Sequence, residues 1–149
     1  MADLVTNIAK GRFLYYAGLP ATNDALIAVV LEASGLEADD ALQDYDTLST
    51  LLAGASNEQT TMGRKTLTSV VVAVNDTSNT ANFDAADITW TGASGSATGK
   101  LVVCYDPDTT TGTDADLIPL TIHDFAVTPD GTDITAQIDA AGLAVAENA

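Results

Sequence analysis

Residues 99–125 read GKLVVCYDPDTTTGTDADLIPLTIHDF: an apolar run, a loop crowded with aspartates, and a second apolar run. The run over 101–105 is continuous and rich in β-branched residues, which predicts a strand. Ile118, Leu120 and Ile122 recur at period two, which predicts another. The apolar phase then moves to Phe125 and Val127, and a one-residue change of phase predicts a bulge or kink near His123-Asp124. The same stretch holds the chain's only cysteine and only histidine. It is therefore also the first place to look for chemistry.

Cys104 sits inside Leu-Val-Val-Cys-Tyr, where cysteine behaves as a small buried hydrophobe. Burial raises a thiol's pKa, and no neighbouring cation in the sequence would generate thiolate. His123 falls opposite the Ile118/Leu120/Ile122 face, so it is expected exposed or at the kink. A Cys104–His123 nucleophile and base is the wrong reading of such a pair. One cysteine and one histidine also make no zinc site without acids from elsewhere. Asp106, Asp108, Thr110, Asp114 and Asp116 offer hard oxygen ligands at alternating spacing, which suits Ca²⁺. An EF-hand loop counted from Asp106 needs glycine sixth and glutamate twelfth. Those positions are Thr111 and Leu117, and Gly112 comes one late. A solvated inter-strand loop is expected. A looser Ca²⁺-dependent binding module over 106–116 is the alternative. No catalytic residue, metal or cofactor is assigned, and the chain has no nucleophile elbow, P-loop or dinucleotide fingerprint.

Outward from this stretch the β signals continue. The run ALIAVVL at 25–31 predicts a strand buried on both faces. Residues 67–74 predict another, and the polar segment NDTSNTANFDAAD at 75–87 a loop. Ile88 and Trp90 alternate with threonines, as in a half-buried strand. GASGSATG at 92–99 predicts a flexible loop, and TPDGT at 128–132 a turn. Ile134, Ala136 and Ile138 alternate beyond it and are expected to complete a hairpin with the preceding strand. Helix is predicted only over 38–44 and 47–53. There Leu42, Tyr45, Leu48, Leu51 and Leu52 form an apolar stripe, Asp46 is a candidate N-cap and Gly54 a candidate stop. The fold class is mainly β (α+β): a single compact antiparallel domain over 23–149, sandwich or barrel-like, with a short helical insert around 38–53. Residues 1–22 have weak periodicity and read as an N-terminal arm or docking segment, or else as a terminal strand covering the core. For docking, Leu4, Val5, Ile8, Phe13, Tyr15 and Tyr16 supply apolar contacts, and Lys10 and Arg12 polar ones.

Composition bounds the partners. The 149 residues are 46% hydrophobic and 17% charged, with a formal net charge of -16, so the charge is nearly all of one sign. No lysine or arginine follows Lys100. Such a field disfavours direct contact with nucleic acid, whose affinity comes mainly from Lys/Arg–phosphate pairs, and with anionic membranes. It favours solubility. A single cysteine excludes an internal disulfide framework. The first 20 residues lack the basic-then-apolar pattern of a signal peptide, which predicts a protein made in the cytoplasm without export.

Three segments, SGLEADDALQDYDTLSTLLA, DITWTG and TGKLVVCYDPDTTTGTDADLIPLTIHDFAVTPDGTDITAQIDAAG, resemble small acidic virion proteins of tailed bacteriophages, often described as head decoration proteins. The resemblance covers most of the chain and is densest over 85–142. It carries over no active-site residue. It implies a non-enzymatic protein displayed in many copies on the capsid surface, contacting the major capsid protein and clustering as a homo-oligomer, with a trimer favoured. A tail-tube or tail-fibre building block is the alternative role.

Overall fold

The structure is a computed structural model and describes residues 3–147. Residues 1–2 of the expected arm and 148–149 of the expected domain lie outside the described residues. In chain order the elements are β1 (Leu4–Val5), α1 (Phe13–Ala17), β2 (Ala25–Glu32), α2 (Asp39–Leu42), α3 (Leu48–Leu52), β3 (Lys65–Thr66), β4 (Val71–Asn75), β5 (Thr80–Asp84), β6 (Ile88–Trp90), β7 (Thr98–Asp106), β8 (Ile118–Asp124), β9 (Ile134–Ala136) and β10 (Ala144–Glu147). All strand pairs are antiparallel. They form a five-stranded sheet in the order β1-β8-β7-β2-β3, a three-stranded sheet β10-β5-β4 and a two-stranded pair β6-β9.

The five-stranded sheet is central because β2 and β7 are apolar on both faces. Leu26, Ala28 and Val30 of β2 and Leu101, Val103 and Tyr105 of β7 face one core. Ala25, Ile27, Val29 and Leu31, with Val102 and Cys104, face a second core on the other side. The two small sheets and α1 cover the first, through Phe83, Trp90, Phe13 and Ala17. The helices cover the second with Leu42, Leu48 and Leu51. Each such aliphatic side chain contributes about 1.5–3 kcal/mol on full burial. The helical stripe read from the sequence is thus the lid of one core. The cap of α3 is Thr47 rather than Asp46: its hydroxyl accepts from the Thr50 amide at 3.2 Å, and Thr50 returns a bond to the Thr47 amide.

Four local expectations are corrected. First, the strand over 67–74 is broken. Ser69 takes a positive φ of 55°, and the chain leaves the central sheet after β3 to start β4 in another. Second, nearly half of the expected loop 75–87 is strand: Asn75 ends β4, and residues 80–84 are β5. The turn occupies only 76–79, where the Asn75 side chain accepts from the amides of Thr77 and Ser78 and Asn79 takes φ 53°, and β5 follows. Third, β9 does not pair back on β8. The chain after β8 stays bonded to β7, through Phe125 N–H to the Gly99 carbonyl and Thr98 N–H to that of Val127, so β9 pairs with β6 instead. Fourth, the bulge lies at Leu120. Val103 pairs with Thr121 but Cys104 with Pro119, leaving Leu120 as the extra residue. It therefore points into the first core while Ile122 points into the second, although the two are spaced like residues of one face. The expected glycine-rich loop 92–99 ends at residue 97, because β7 starts at Thr98, and it is held from outside by the Gln59 amide donating to the Ser96 carbonyl at 2.8 Å.

The N-terminal segment lies against the domain along most of its length. β1 is an edge strand on β8, Thr6 bonds the carbonyls of Pro119 and Leu120, and Ala9, Phe13 and Ala17 are buried in the first core.

Candidate functional site

The acidic loop between β7 and β8 consumes its own carboxylates. Asp106 accepts from the Asp108 amide, Asp108 from the amide and hydroxyl of Thr110 and the hydroxyl of Thr111, and Asp116 from the amide and hydroxyl of Thr113. Those hydrogen bonds favour the charged form and hold the Asp108 carboxyl down at about 2. Asp114 turns away to Arg64, whose guanidinium forks onto both oxygens at 2.6 and 3.1 Å and onto Glu58 at 2.8 and 2.7 Å. The aspartates that read as ligands are thus turn-forming acceptors plus one ion-pair partner. Among the described residues, no three His, Cys, Asp or Glu side chains converge in an arrangement that could hold a metal ion.

His123 is not exposed at a kink. Its side chain is 14% exposed, with Nε2 at 2.8 Å from the Thr121 hydroxyl and Nδ1 at 3.0 Å from Asp3 Oδ2. Asp3 also accepts from the Asp124 amide. Thr121, His123 and Asp3 thus line up as a hydroxyl, an imidazole and a carboxylate, the geometry of a nucleophile with its base and orienter. Thr121, however, is fully buried, so no substrate carbonyl can reach its hydroxyl. The three residues act as a clasp that fastens the start of β1 to β8. The bulge at Leu120 explains why the sequence misplaced His123: residues beyond it change sides.

Cys104 faces the second core and His123 the opposite side of the sheet, across from Leu101. Burial pushes the Cys104 thiol well above its ordinary value. A thiol reagent added to native protein is therefore expected to leave Cys104 unmodified, and to modify one thiol per chain after unfolding in denaturant. Rapid stoichiometric labelling of the native protein would contradict its placement in the core.

What remains on the surface is a set of exposed apolar and cationic side chains. Of the eight residues proposed for docking from the sequence, Leu4, Val5, Phe13 and Tyr16 pack into or against the domain, Tyr16 on Tyr105 with ring centroids 5.0 Å apart. Ile8, Lys10, Arg12 and Tyr15 are left exposed, Tyr15 at 63%. They lie within residues 4–23, which contain no acid in a chain that has 21. Arg64 and Lys100 are ion-paired. Among the described residues Lys10 and Arg12 make no ion pair, and Lys10 instead donates to the Asn7 side chain. A second bare surface is β4, in which every residue is exposed, Val71 at 55% and Val74 at 71%. The sequence gives no separate sign of it, because 71–74 read as the second half of a single strand over 67–74. No helix among the described residues is long and apolar enough to cross a membrane.

No family model, curated protein or solved structure matches the chain.

Proposed function

We propose that this chain is a non-enzymatic structural protein of a tailed-bacteriophage virion, seated on the outside of the head and stabilising the lattice of the major capsid protein. The observation that carries this reading is the exposed face of the N-terminal segment. On an acidic domain, an acid-free stretch presents two unpaired cations beside an exposed tyrosine and isoleucine. Tyrosine and arginine are the residues that most often dominate binding energy at interfaces, and an isolated cationic spot on an anionic protein orients its approach to a partner. The segment is held by β1 and by Phe13 in the core, so little conformational freedom is lost on binding. A strongly negative outer surface keeps a crowded layer of copies from associating non-specifically. A ligand that binds only the assembled lattice stabilises it by mass action, by about 2.7 kcal/mol per site at a hundredfold excess over Kd.

The test uses heads assembled from the major capsid protein of the same genome. Purified protein is expected to co-sediment with them at a fixed stoichiometry and to raise their resistance to heat. The triple variant Lys10→Glu, Arg12→Glu, Tyr15→Ala changes only exposed side chains, so it should keep the wild-type melting temperature and lose most of its head binding. Undiminished binding by the variant would sink the docking face. Immunogold label on the tail, with bare heads, would replace the head assignment by the tail-tube or tail-fibre role.

A further inference from the structure

We propose that β4 is a self-association edge, at which two copies of this chain pair antiparallel about a two-fold axis passing through Ala73, fusing their small sheets into one of six strands. β4 is outermost in the order β10-β5-β4, so among the described residues one row of its backbone N–H and C=O groups has no strand beside it. Such edges are normally blunted by a lysine, a proline, a bulge or an inward charge. Val71-Val-Ala-Val-Asn75 has none of these, and its register with β5 is unbroken. Among the described residues, four of the six exposed large hydrophobic residues, Val71, Val72, Val74 and Val145, lie on this one sheet. The face of the sheet that gives Phe83 and Ala144 to the first core carries the exposed Val72 in the same register row and continues one row further as Val74, Ala81 and Ala146, where Val74 and Ala146 stand exposed. An apolar face that outruns its own core is what an interface leaves behind when its partner is removed.

The occupant is argued from charge and from self-complementarity. Copies carrying a net charge of -16 repel one another except where acids are absent, and residues 59–75 hold no acid while including all of β4. An antiparallel pairing centred on Ala73 sets Val72 against Val74 of the second copy, Val71 against Asn75, and Ala73 against itself. No charge meets a like charge, and β-branched residues face each other across the strands, which is the favourable cross-strand pairing. This register also keeps the core-facing sides of both sheets on one side, because opposite residues in an antiparallel pair share a face. The contact is separate from the face around Ile8, Lys10, Arg12 and Tyr15, so it stands whether or not that face binds heads. It joins copies pairwise whatever their grouping on a larger particle.

Sedimentation equilibrium of the full chain over a wide concentration range tests it. The wild type is expected to pass from 15.3 kDa to twice that mass, with tighter association as salt is raised and repulsion is screened. Ala73 is exposed, so Ala73→Asp and Ala73→Lys should each keep the monomer's melting temperature. Each variant should be monomeric, because it sets a charge against its own copy across the axis. An equimolar mixture of the two should recover the dimer. A wild type that stays at 15.3 kDa, or an Ala73→Asp protein that still dimerises, overturns the proposal. A monomeric wild type whose Ala73→Asp variant loses head binding would give the edge to a capsid strand instead.

Discussion

Phe83→Ala is expected to destabilise the protein by about 3–5 kcal/mol, the usual cost of emptying a buried aromatic site. A domain of this size has about 5–15 kcal/mol in total, so the variant should fall close to the folding threshold. Phe83 is fully buried and is the one large apolar side chain that β5 gives to the core. Its ring lies 6.0 Å from that of Phe13, so it joins α1 and the small sheet in one cluster. Its backbone is equally committed. The Phe83 carbonyl accepts from the Leu143 amide at 2.9 Å, and Gly142, with φ +95°, passes so close that a Cβ there would meet that carbonyl at 2.3 Å. Without the ring, β4, β5 and β10 keep their hydrogen bonds to each other but lose their anchor on the central sheet. Urea titration should show the lowered midpoint. Native-state hydrogen exchange should show amides of 71–75, 80–84 and 144–147 losing protection before those of β2 and β7. A loss below about 1 kcal/mol, or uniform loss of protection, would contradict this anchoring role. The edge proposed for self-association lies on that sheet, so the pairing should weaken in the same variant.

That Phe83 matters so much, in a segment whose composition reads as loop, shows where the sequence stops being legible. β2 and β7 could be read because both their faces are buried, which forces apolar residues into nearly every position, and β8 because its apolar residues recur at period two. The stripe over α2 and α3 could be read because it covers a core at helical spacing. β5, as Thr-Ala-Asn-Phe-Asp, has a solvent-facing side and small or polar residues beside its one anchor. Nothing in it alternates, and its strand identity comes from β4 and β10 on either side. The phase change near His123 was visible, but its position was not. Leu120 and Ile122 are both apolar, and only the presence of two cores reveals that they point in opposite directions. The partners of His123 divide in the same way. Thr121 is two residues off, whereas Asp3 comes from the far end of the chain and leaves no local signal. Exposed acid-free stretches could be counted in the sequence. Which of their side chains stay exposed is a packing result, and it left Tyr15 out while taking Phe13 and Tyr16 in.

Lys100→Met is expected to cost about 2 kcal/mol at neutral pH, and its pH dependence separates charge from packing. Lys100 is fully buried, yet its ammonium lies 2.8 Å from Asp39 Oδ1 and 2.6 Å from Asp124 Oδ1. It thereby ties the first residue of α2 to the end of β8 through β7. Methionine keeps most of the stem's volume and takes the ammonium away from both carboxylates. Removing one partner of a buried pair costs about 3–5 kcal/mol. Here the carboxylates are partly hydrated, Asp124 at 37%, so screening brings the figure to about 2 kcal/mol. Burial works against the Lys100 charge, but the hydrogen bonds to Asp124 and Asp39 outweigh it and hold its pKa above the usual value. That contribution is complete below the unfolded lysine pKa of about 10.4 and is lost as pH climbs through the raised one. The Asp124 carboxyl is held below its usual range by the hydrogen bond from Lys100. Its contribution is complete above the unfolded value of about 3.9 and is lost as pH falls through the lowered one. Wild type and variant share every other acid, so the general relief of repulsion at low pH cancels between them. The difference in unfolding free energy should therefore form a plateau through neutral pH and shrink at both the acid and the alkaline edge. A difference that is flat across the whole range would make Lys100 a packing residue whose charge stabilises nothing.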